Sequence, residues 1–556
     1  MAGADARRPR VVGLNRTQDA SVCVLENERA AVATQKERLT RQKHAWGALG
    51  DVSSLYVSAI DALEEAIDLV VECYSSDPEV LNREAYADEL RATVPFTSAG
   101  RILDVSHHLA HLYSCYYPSG FDECAVLIVD CAGSPLSRVT ETYADIGTAS
   151  SDDVETASYY WVEGGHIRCV KKDAWSFDWT QPAGLGAFYH LVTQRIFPGE
   201  GNEGKVMALA SFGDPGRLRL PPLQVEQGEI AIPRGWIEIL TCADDFTVSP
   251  TSISVSQQVA DLAAAAQVSF EAALLQTARW LRRVTGSRNL CFAGGTALNC
   301  PANTVIARKA GFSRVYIPPA PHDGGTAIGC ALYGLAQLRG HAACRGFSWQ
   351  SDYLGVSRSS DRLEEIATRG PAVIIERPAD LPVTIARLIA NGAVIGLFQD
   401  RGEFGPRALG NRSILADPRD PDIQRRINET VKGRETFRPL APTVLAHRAD
   451  EFFGWTPHSP FMQFAVPVRA HRARAIPGVV HHDRTARIQM LHREDNPFFF
   501  DVITAFERLT AVPMLLNTSF NGAGEPIVET LEDAFACFGA TGIDGLVCPP
   551  FLATKS

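Results

Sequence analysis

Short apolar runs alternate with helix-period segments along most of the chain. RVVGLN (10–15) and SVCVLEN (21–27) predict a β-hairpin with its turn near Gln18–Ala20. AVLIVD (125–130) predicts a strand. SYYWVEGGHIRCVKK (158–172) predicts two strands around the Gly164-Gly165 turn. Residues 259–284 form a long Ala-rich buried helix, NLCFAGG (289–295) a strand entering a glycine turn, and TAIGCALYGLAQLRG (326–340) a helix stopped by Gly340. Residues 341–352 are polar and irregular and read as a linker. After them DRLEEIATRG (helix), PAVIIER (strand), LPVTIARLIANG (helix) and AVIGLFQD (strand) start a second alternation. The pattern predicts an α/β protein with a boundary near residue 350 and no short-period repeat.

Composition narrows the class. The chain has 556 residues, too many for one hydrophobic core, so two or more domains are expected. A net charge of -11 argues against a general nucleic-acid binder but not against a local basic pocket. The thirteen cysteines are scattered without a C-x-x-C pair and predict reduced core thiols, as expected of a cytoplasmic protein. The N-terminus lacks the apolar segment of a secretory signal, and no run reaches membrane-spanning length.

Three groups of residues carry candidate chemistry. In DVSHHLAHLYSCYY, His107 and His111 are four apart and share one helix face, a spacing suited to two ligands of one metal. His108 stands where a zincin would need Glu, which excludes that metalloprotease class. Asp130 at a strand end and Asp323 at a helix entry would complete a mixed N/O set suited to Fe(II), Mn(II) or Zn(II). The spacing alone leaves an incidental pair of histidines open, and Asp323 alone could be only a helix cap.

The second group is glycine turns. Gly294-Gly295, with Asn299 after them, and Gly324-Gly325 lie between strands and helices, where backbone N–H groups can approach a phosphate. GEGNEGKV adds Lys205 but has Val206 where a Walker A loop needs Ser or Thr. The third group is basic. Arg401, Arg407, Arg412, Lys432, Arg434 and Arg438 sit among glycines, prolines and Phe404 and Phe437 without helical spacing, which suggests a shaped anion pocket rather than a solvated helix face. Arg487 and the polar run Asn517, Thr518, Ser519 and Asn521 add further hydrogen-bonding groups.

Together, HHLAH with Asp130, GEGNEGKVMALA, AGGTALN, EFGPRALGNRSILADPR, KGRETFRPLAP, HHDRTARIQ and LLNTSFNGAGEPIV resemble the NodU/CmcH family of O-carbamoyltransferases over essentially the whole chain. The family includes antibiotic-tailoring enzymes. The resemblance implies a TsaD-like, actin-like ATPase domain over 1–350 and a YrdC-like domain over 351–556. It implies that the second domain converts carbamoyl phosphate and Mg-ATP into carbamoyl adenylate. The first would then transfer the carbamoyl group to a hydroxyl of a small, natural-product-like acceptor.

By motif, His107, His111, Asp130 and Asp323 would hold the metal, with iron the first expectation. Arg407, Lys432, Arg438, Arg487, Asn517 and Ser519 would act on carbamoyl phosphate and ATP. Gly294, Gly295, Asn299, Gly324, Gly325 and Lys205 would hold the nucleotide. Gln18, Asp19 and Lys43 would lie on the acceptor side. Two positions depart from the family: Gln18 replaces a histidine, and Ser134 a glutamate. Glutamine cannot act as a base, so Asp19, His108 or the metal-bound phosphate would have to replace it, or no strong base is needed. The competing readings are a tRNA threonylcarbamoyl-transfer enzyme and a non-catalytic nucleotide-binding or sugar-kinase-like ATPase. No nucleic acid or membrane partner is expected, and a homodimer is left open.

Overall fold

The computed structural model describes residues 8–555, apart from 75–82, 144–148, 243–245, 249–254, 350, 359–361, 363–364 and 366–372. The fold is mixed α/β. Its first sheet contains β1 (Arg10–Asn15), β2 (Ser21–Glu26), β3 (Arg29–Gln35), β4 (Ile67–Cys73) and β5 (Phe96–Val105) in the order β3-β2-β1-β4-β5. β1, β2 and β3 form an antiparallel meander, and β4 and β5 add in parallel. The predicted hairpin is present. Asn15 shapes its turn by donating from Nδ2 to the carbonyls of Gln18 (3.0 Å) and Asp19 (3.2 Å). Asp19 adopts the left-handed conformation that Asp tolerates better than most residues.

The second sheet repeats this plan. It contains β6 (Glu123–Val129), β7 (Val154–Glu163) and β8 (His166–Trp175) as a meander. After a small hairpin, β9 (Gln224–Glu226) with β10 (Glu229–Ala231), β11 (Asn289–Ala293) and β12 (Arg314–Tyr316) add in parallel beside β6. The order β12-β11-β6-β7-β8 mirrors the first sheet. The duplication lies in topology rather than in short-period sequence. Gly164 and Gly165 both have positive φ at the β7–β8 turn, as a type I′ hairpin requires.

Glycines set how closely the layers approach. The helix Thr326–Arg339 lies on the first sheet and crosses the helix His107–Ser119. A Cβ on Gly13 of β1 would come within 2.0 Å of the Ala327 carbonyl oxygen, and one on Gly329 within 1.9 Å of the Ala110 carbonyl oxygen. The helix Gln257–Thr285 forms as predicted, capped by Ser256 at its start and by the left-handed Gly286 at its end.

The remaining large sheet has eight strands, from β13 (Val373–Glu376), β14 (Ile395–Phe398), β15 (Arg412–Ala416), β16 (Ala441–Leu445), β19 (Gln489–Leu491), β20 (Met514–Ser519), β21 (Gly545–Cys548) and β22 (Phe551–Lys555). Only β14–β21 and β16–β19 pair in parallel. β17 (Ala465–Pro467) and β18 (Thr485–Arg487) form a separate antiparallel pair.

One expectation is corrected. The segment 341–352 is not a loose linker. It holds a short helix, His341–Gly346, and buries Cys344, Phe347, Trp349 and Asp352. Its polar residues concealed the aromatic anchors that bind it down. The helix expected at DRLEEIATRG falls largely outside the described residues. One apolar cluster runs from Ala125 to Ala553 and includes residues of the second and eight-stranded sheets. Twelve cysteines are free, and all of these but Cys131 are buried. Among the described residues no helix is long and apolar enough to cross a membrane.

Gly329→Ala should destabilise the protein by about 1–3 kcal/mol, because the helix contact has no room for a methyl group. A lower midpoint in denaturant unfolding checks this.

Candidate functional site

The first centre lies where the two crossing helices begin. His107 and His111 occupy the first two turns of one helix, Asp130 follows β6, and Asp323 precedes the other helix. His107 Nε2 lies 3.1 Å from His111 Nε2. Asp130 Oδ2 is 3.8 Å from His107 Nε2 and 3.4 Å from His111 Nε2. Asp323 Oδ1 is 3.4 Å and 3.7 Å from the same two atoms. Metal–ligand bonds of about 2.1 Å give ligand–ligand edges of about 3.0–3.4 Å in octahedral or tetrahedral sites. Four donors therefore converge at near-coordination spacing.

The surroundings fit a metal as well. Asp130 accepts N–H groups from Cys131 (2.8 Å) and Gly295 (3.0 Å). Asp323 Oδ2 accepts from Thr17 Oγ1 at 3.0 Å, and His107 Nδ1 faces the Cys73 thiol at 3.5 Å. These contacts orient the ligands from behind. Burial raises both Asp carboxyls, but the two imidazoles reverse it, holding Asp130 well below the ordinary range and Asp323 at about 2. Burial also opposes protonation of His107, but Asp323 and Cys73 outweigh it and raise the imidazole well above its usual value. The cluster concentrates ionised carboxylates on two histidines, a donor set suited to a divalent cation.

The glycine turns support this centre more than they offer free N–H groups. A Cβ on Gly294 would come within 2.2 Å of the Val129 carbonyl oxygen, and its own N–H donates to Pro321 O. The Gly295 N–H is held by Asp130. Asn299 caps the helix Cys300–Lys309 and exchanges hydrogen bonds with Gln267, so its side chain is committed. The Gly324 carbonyl accepts from Ser21, and a Cβ on Gly325 would come within 2.0 Å of the Ala320 carbonyl oxygen. Lys205 pairs with Glu435 at 3.0 Å, across to the other half of the chain.

The second centre is cationic, but two of the expected arginines do not belong to it. Arg412 is buried, donates to the carbonyls of Gln399 (2.6 Å) and Asp400 (2.8 Å), and lies over Phe398. Arg401 donates to Gly355 O at 2.7 Å and Leu354 O at 2.8 Å. Both satisfy backbone acceptors rather than facing a pocket. Glu403 organises the intervening loop, accepting N–H groups from Leu409 (2.7 Å), Asn411 (2.8 Å) and Arg412 (3.2 Å).

Arg407, Arg434, Arg438 and Arg487 remain, all half-buried and mutually repelling. Burial and then the neighbouring arginines push Arg407 and Arg434 down to about 9. Arg487 Nε is buried without a partner. Such a cluster is relieved by an anion. Lys432 lies beside it, with Nζ donating to Asn521 Oδ1 (2.7 Å), Asn521 O (3.1 Å), Ser519 Oγ (3.2 Å) and Ser519 O. Burial and then Arg434 press its ammonium well below the usual lysine value. Asn517 sits inside β20, donating to Thr443 Oγ1 (2.9 Å), Gln489 Oε1 (3.1 Å) and Ala408 O (3.2 Å). Only its buried Oδ1 lacks a partner.

The two centres are joined through the chain. Asn303 and Thr304, in the helix begun by the Gly294-Gly295 turn, donate to Gln463 O (3.0 Å) and Ala465 O (2.8 Å). Ala465 pairs in register with Arg487. Lys43 is solvent-exposed. Partial desolvation and then the charges of Arg438 and Arg434 lower its ammonium, so it faces the cationic cluster as well as the β1–β2 turn. Gln18 stands in that turn half-buried, and Asp19 bonds His44 at 2.9 Å. Sequence reasoning missed Thr17, Cys73, His44 and Glu403, which act through tertiary contacts. Asn521 was visible in LNTSFN as a polar residue, though not as the partner of Lys432.

Family models bear directly on these two halves. The Carbamoyltransferase N-terminus model matches residues 78–332, and the Carbamoyltransferase C-terminus model matches residues 386–555. Nodulation protein NolNO of Sinorhizobium fredii is 35% identical across 97% of this chain and 79% of its own length. Nodulation protein NolO of Bradyrhizobium diazoefficiens is 37% identical across 81% of this chain and 79% of its own. Among solved structures, HypF of T. kodakarensis overlaps 60% of this chain and 48% of its own, at 14% identity and a TM-score of 0.37. The protein is a transferase. It belongs to the carbamoyltransferase family, of the type that the nodulation proteins represent.

Protein purified without chelator should carry about one transition-metal ion per chain, and His111→Ala should lose it while keeping its far-ultraviolet circular dichroism; elemental analysis measures this. Pyrophosphate should raise the thermal midpoint of the wild type, and Arg438→Ala should reduce that rise, as read by a thermal-shift titration.

Proposed function

We propose that the protein is an ATP-dependent O-carbamoyltransferase with two reaction centres on one chain. The half spanning 351–556, which we read as YrdC-like, makes carbamoyl adenylate. The half spanning 1–350, whose duplicated sheets support an actin-like reading, transfers the carbamoyl group to a small hydroxylated acceptor. The observation that carries this reading is the convergence of the half-buried Arg407, Arg434, Arg438 and Arg487 beside the Lys432–Ser519–Asn521 network.

In the first step, atom balance requires water to cleave the carbamoyl–phosphate bond, giving carbamate and phosphate. A carbamate oxygen then attacks the α-phosphate of ATP, supplied as its magnesium complex, and pyrophosphate leaves. The arginines neutralise the phosphate charge throughout. Lys432, held by four oxygens, is aimed rather than mobile and stabilises the same anions. Asn517 supports the pocket floor through Thr443 and Gln489.

In the second step, a hydroxyl attacks the carbamoyl carbon and AMP departs. His107, His111, Asp130 and Asp323 would hold a divalent ion, Fe(II), Mn(II) or Zn(II), which when bound supplies Lewis-acid stabilisation of phosphate charge. Gly294, Gly295, Asn299, Gly324 and Gly325 shape the wall on which the nucleotide rests. Their hydrogen bonds hold the ligands and the helix start in register. Lys205 and Lys43 reach the boundary between the halves and favour a phosphorylated species there.

Incubation with carbamoyl phosphate, ATP and magnesium should yield pyrophosphate and carbamoyl adenylate without an acceptor. Lys432→Ala should abolish both products. His111→Ala should still form them and should block transfer. Folded, metal-loaded protein that forms neither product refutes the assignment, and equal loss of both steps in His111→Ala refutes the division of labour.

A further inference from the structure

Asp19 of the β1–β2 turn pairs with His44, which follows the short helix Lys36–Thr40 and has no role above. His44 Nδ1 lies 2.9 Å from Asp19 Oδ1. The pair adjoins the metal-type centre. Thr17, two residues before Asp19, donates to Asp323 Oδ2 at 3.0 Å. The other Asp19 oxygen lies 3.8 Å from His322 Nε2, beside Asp323 in the chain. The turn is tightly specified, since Asn15 binds both Gln18 O and Asp19 O and Asp19 holds a positive φ. Asp19 is thereby aimed at His44.

Nothing comparable stands at Gln18, whose amide cannot accept a proton near neutrality. Resting on the carbamoyl-transfer reading, we propose that His44, oriented by Asp19, is the base that takes the proton from the acceptor hydroxyl. As that oxygen bonds to the carbamoyl carbon, its proton passes to His44 Nε2. The bond from the same carbon to the phosphate oxygen breaks, and AMP leaves with the electron pair. The product is a carbamate ester, and His44 later releases its proton to solvent.

Three features of the surroundings agree with this role. Asp19 engages Nδ1, which leaves Nε2 as the accepting atom, the arrangement that a base oriented by a carboxylate requires. Gly201, at the exposed tip of the GEGNEG turn and in a positive-φ conformation, faces that atom, and a Cβ there would come within 2.2 Å of Nε2. A larger residue there would collide with the ring of His44, whose side chain is otherwise 28% exposed. The groups around His44 are Asp19 and Glu37, the latter accepting the His44 backbone N–H at 3.1 Å, together with Lys43, His322 and Glu200 beside Gly201. The Asp19 hydrogen bond, opposed by burial, raises the imidazole above its usual value. Asp19, Glu37 and His44 could also be read as a small cation site. Lys43 faces it, and Asp19 and Glu37 already accept hydrogen bonds from His44, which favours a base over a metal.

The test uses full-length, metal-loaded protein with carbamoyl phosphate, ATP and magnesium, and glycerol at high concentration as the hydroxyl probe. Pyrophosphate reports the first step; AMP and carbamoylglycerol report the second. His44→Gln should form pyrophosphate as the wild type does and lose about 100-fold or more in AMP and carbamoylglycerol. Asp19→Asn should slow transfer and move its rising pH limb to lower pH, because the base works when neutral and Asp19 raises its protonation range. Gly201→Ala should also spare pyrophosphate and impair transfer. Transfer at the wild-type rate by His44→Gln, or a second bound divalent ion lost in that variant, overturns the proposal. If the wild type itself forms no pyrophosphate, the underlying carbamoyl-transfer reading fails with it.

Discussion

The close crossing of the helices His107–Ser119 and Thr326–Arg339 is the contact on which the first centre depends. It is possible only because Gly329 lacks a Cβ that would strike the Ala110 carbonyl. Gly13 performs the same service between the second helix and β1. With both helices held at contact distance, their first turns lie side by side. His107 and His111 on one then meet Asp323 before the other, while Asp130 arrives from the end of β6. Four ionisable groups could not be buried together without mutual compensation. Here each carboxylate faces both imidazoles, and backbone N–H groups or Thr17 hold the remaining oxygen lone pairs.

The cationic pocket obeys a different rule. Arginines that meet backbone carbonyls, Arg401 and Arg412, fasten the EFGPRALGNR loop; those without such acceptors are left facing each other. Glu403 shapes the loop by gathering the N–H groups of Leu409, Asn411 and Arg412, and Arg407 in the same loop stays half-buried. The halves share one apolar cluster and are also tied by polar contacts. Arg38 reaches Gly405 O at 2.6 Å, and Arg41 reaches Ile527 O at 2.6 Å and Pro526 O at 2.9 Å. Asn303, bonded to Gln463 O, and Thr304, bonded to Ala465 O of β17, add contacts beside the strand pair that carries Arg487.

Much of this was legible in the chain itself. Strand and helix periods located the meanders, the Ala-rich helix and the second alternation, because side-chain burial imposes periods of two and of 3.6. The four-residue spacing of His107 and His111 placed both imidazoles on one helix face, and the carbamoyltransferase motifs pointed to the family. The chain also disclosed that Gln18 lacks a titratable group. These are local properties, carried by neighbouring residues and their spacing.

Tertiary structure decided what local patterns do not encode. It separated structural from pocket arginines, which carry the same charge in the same loop and differ only in the carbonyls within reach. It turned the apparent linker 341–352 into a packed strap through Phe347 and Trp349. It committed the N–H groups of Gly294 and Gly295 to Pro321 and Asp130, and it joined His44 to Asp19 across twenty-five residues. The reason is common to all of these: a hydrogen bond or a steric contact is made between groups that meet in space. Spacing along the chain predicts such meetings only within a helix turn, a strand or a hairpin.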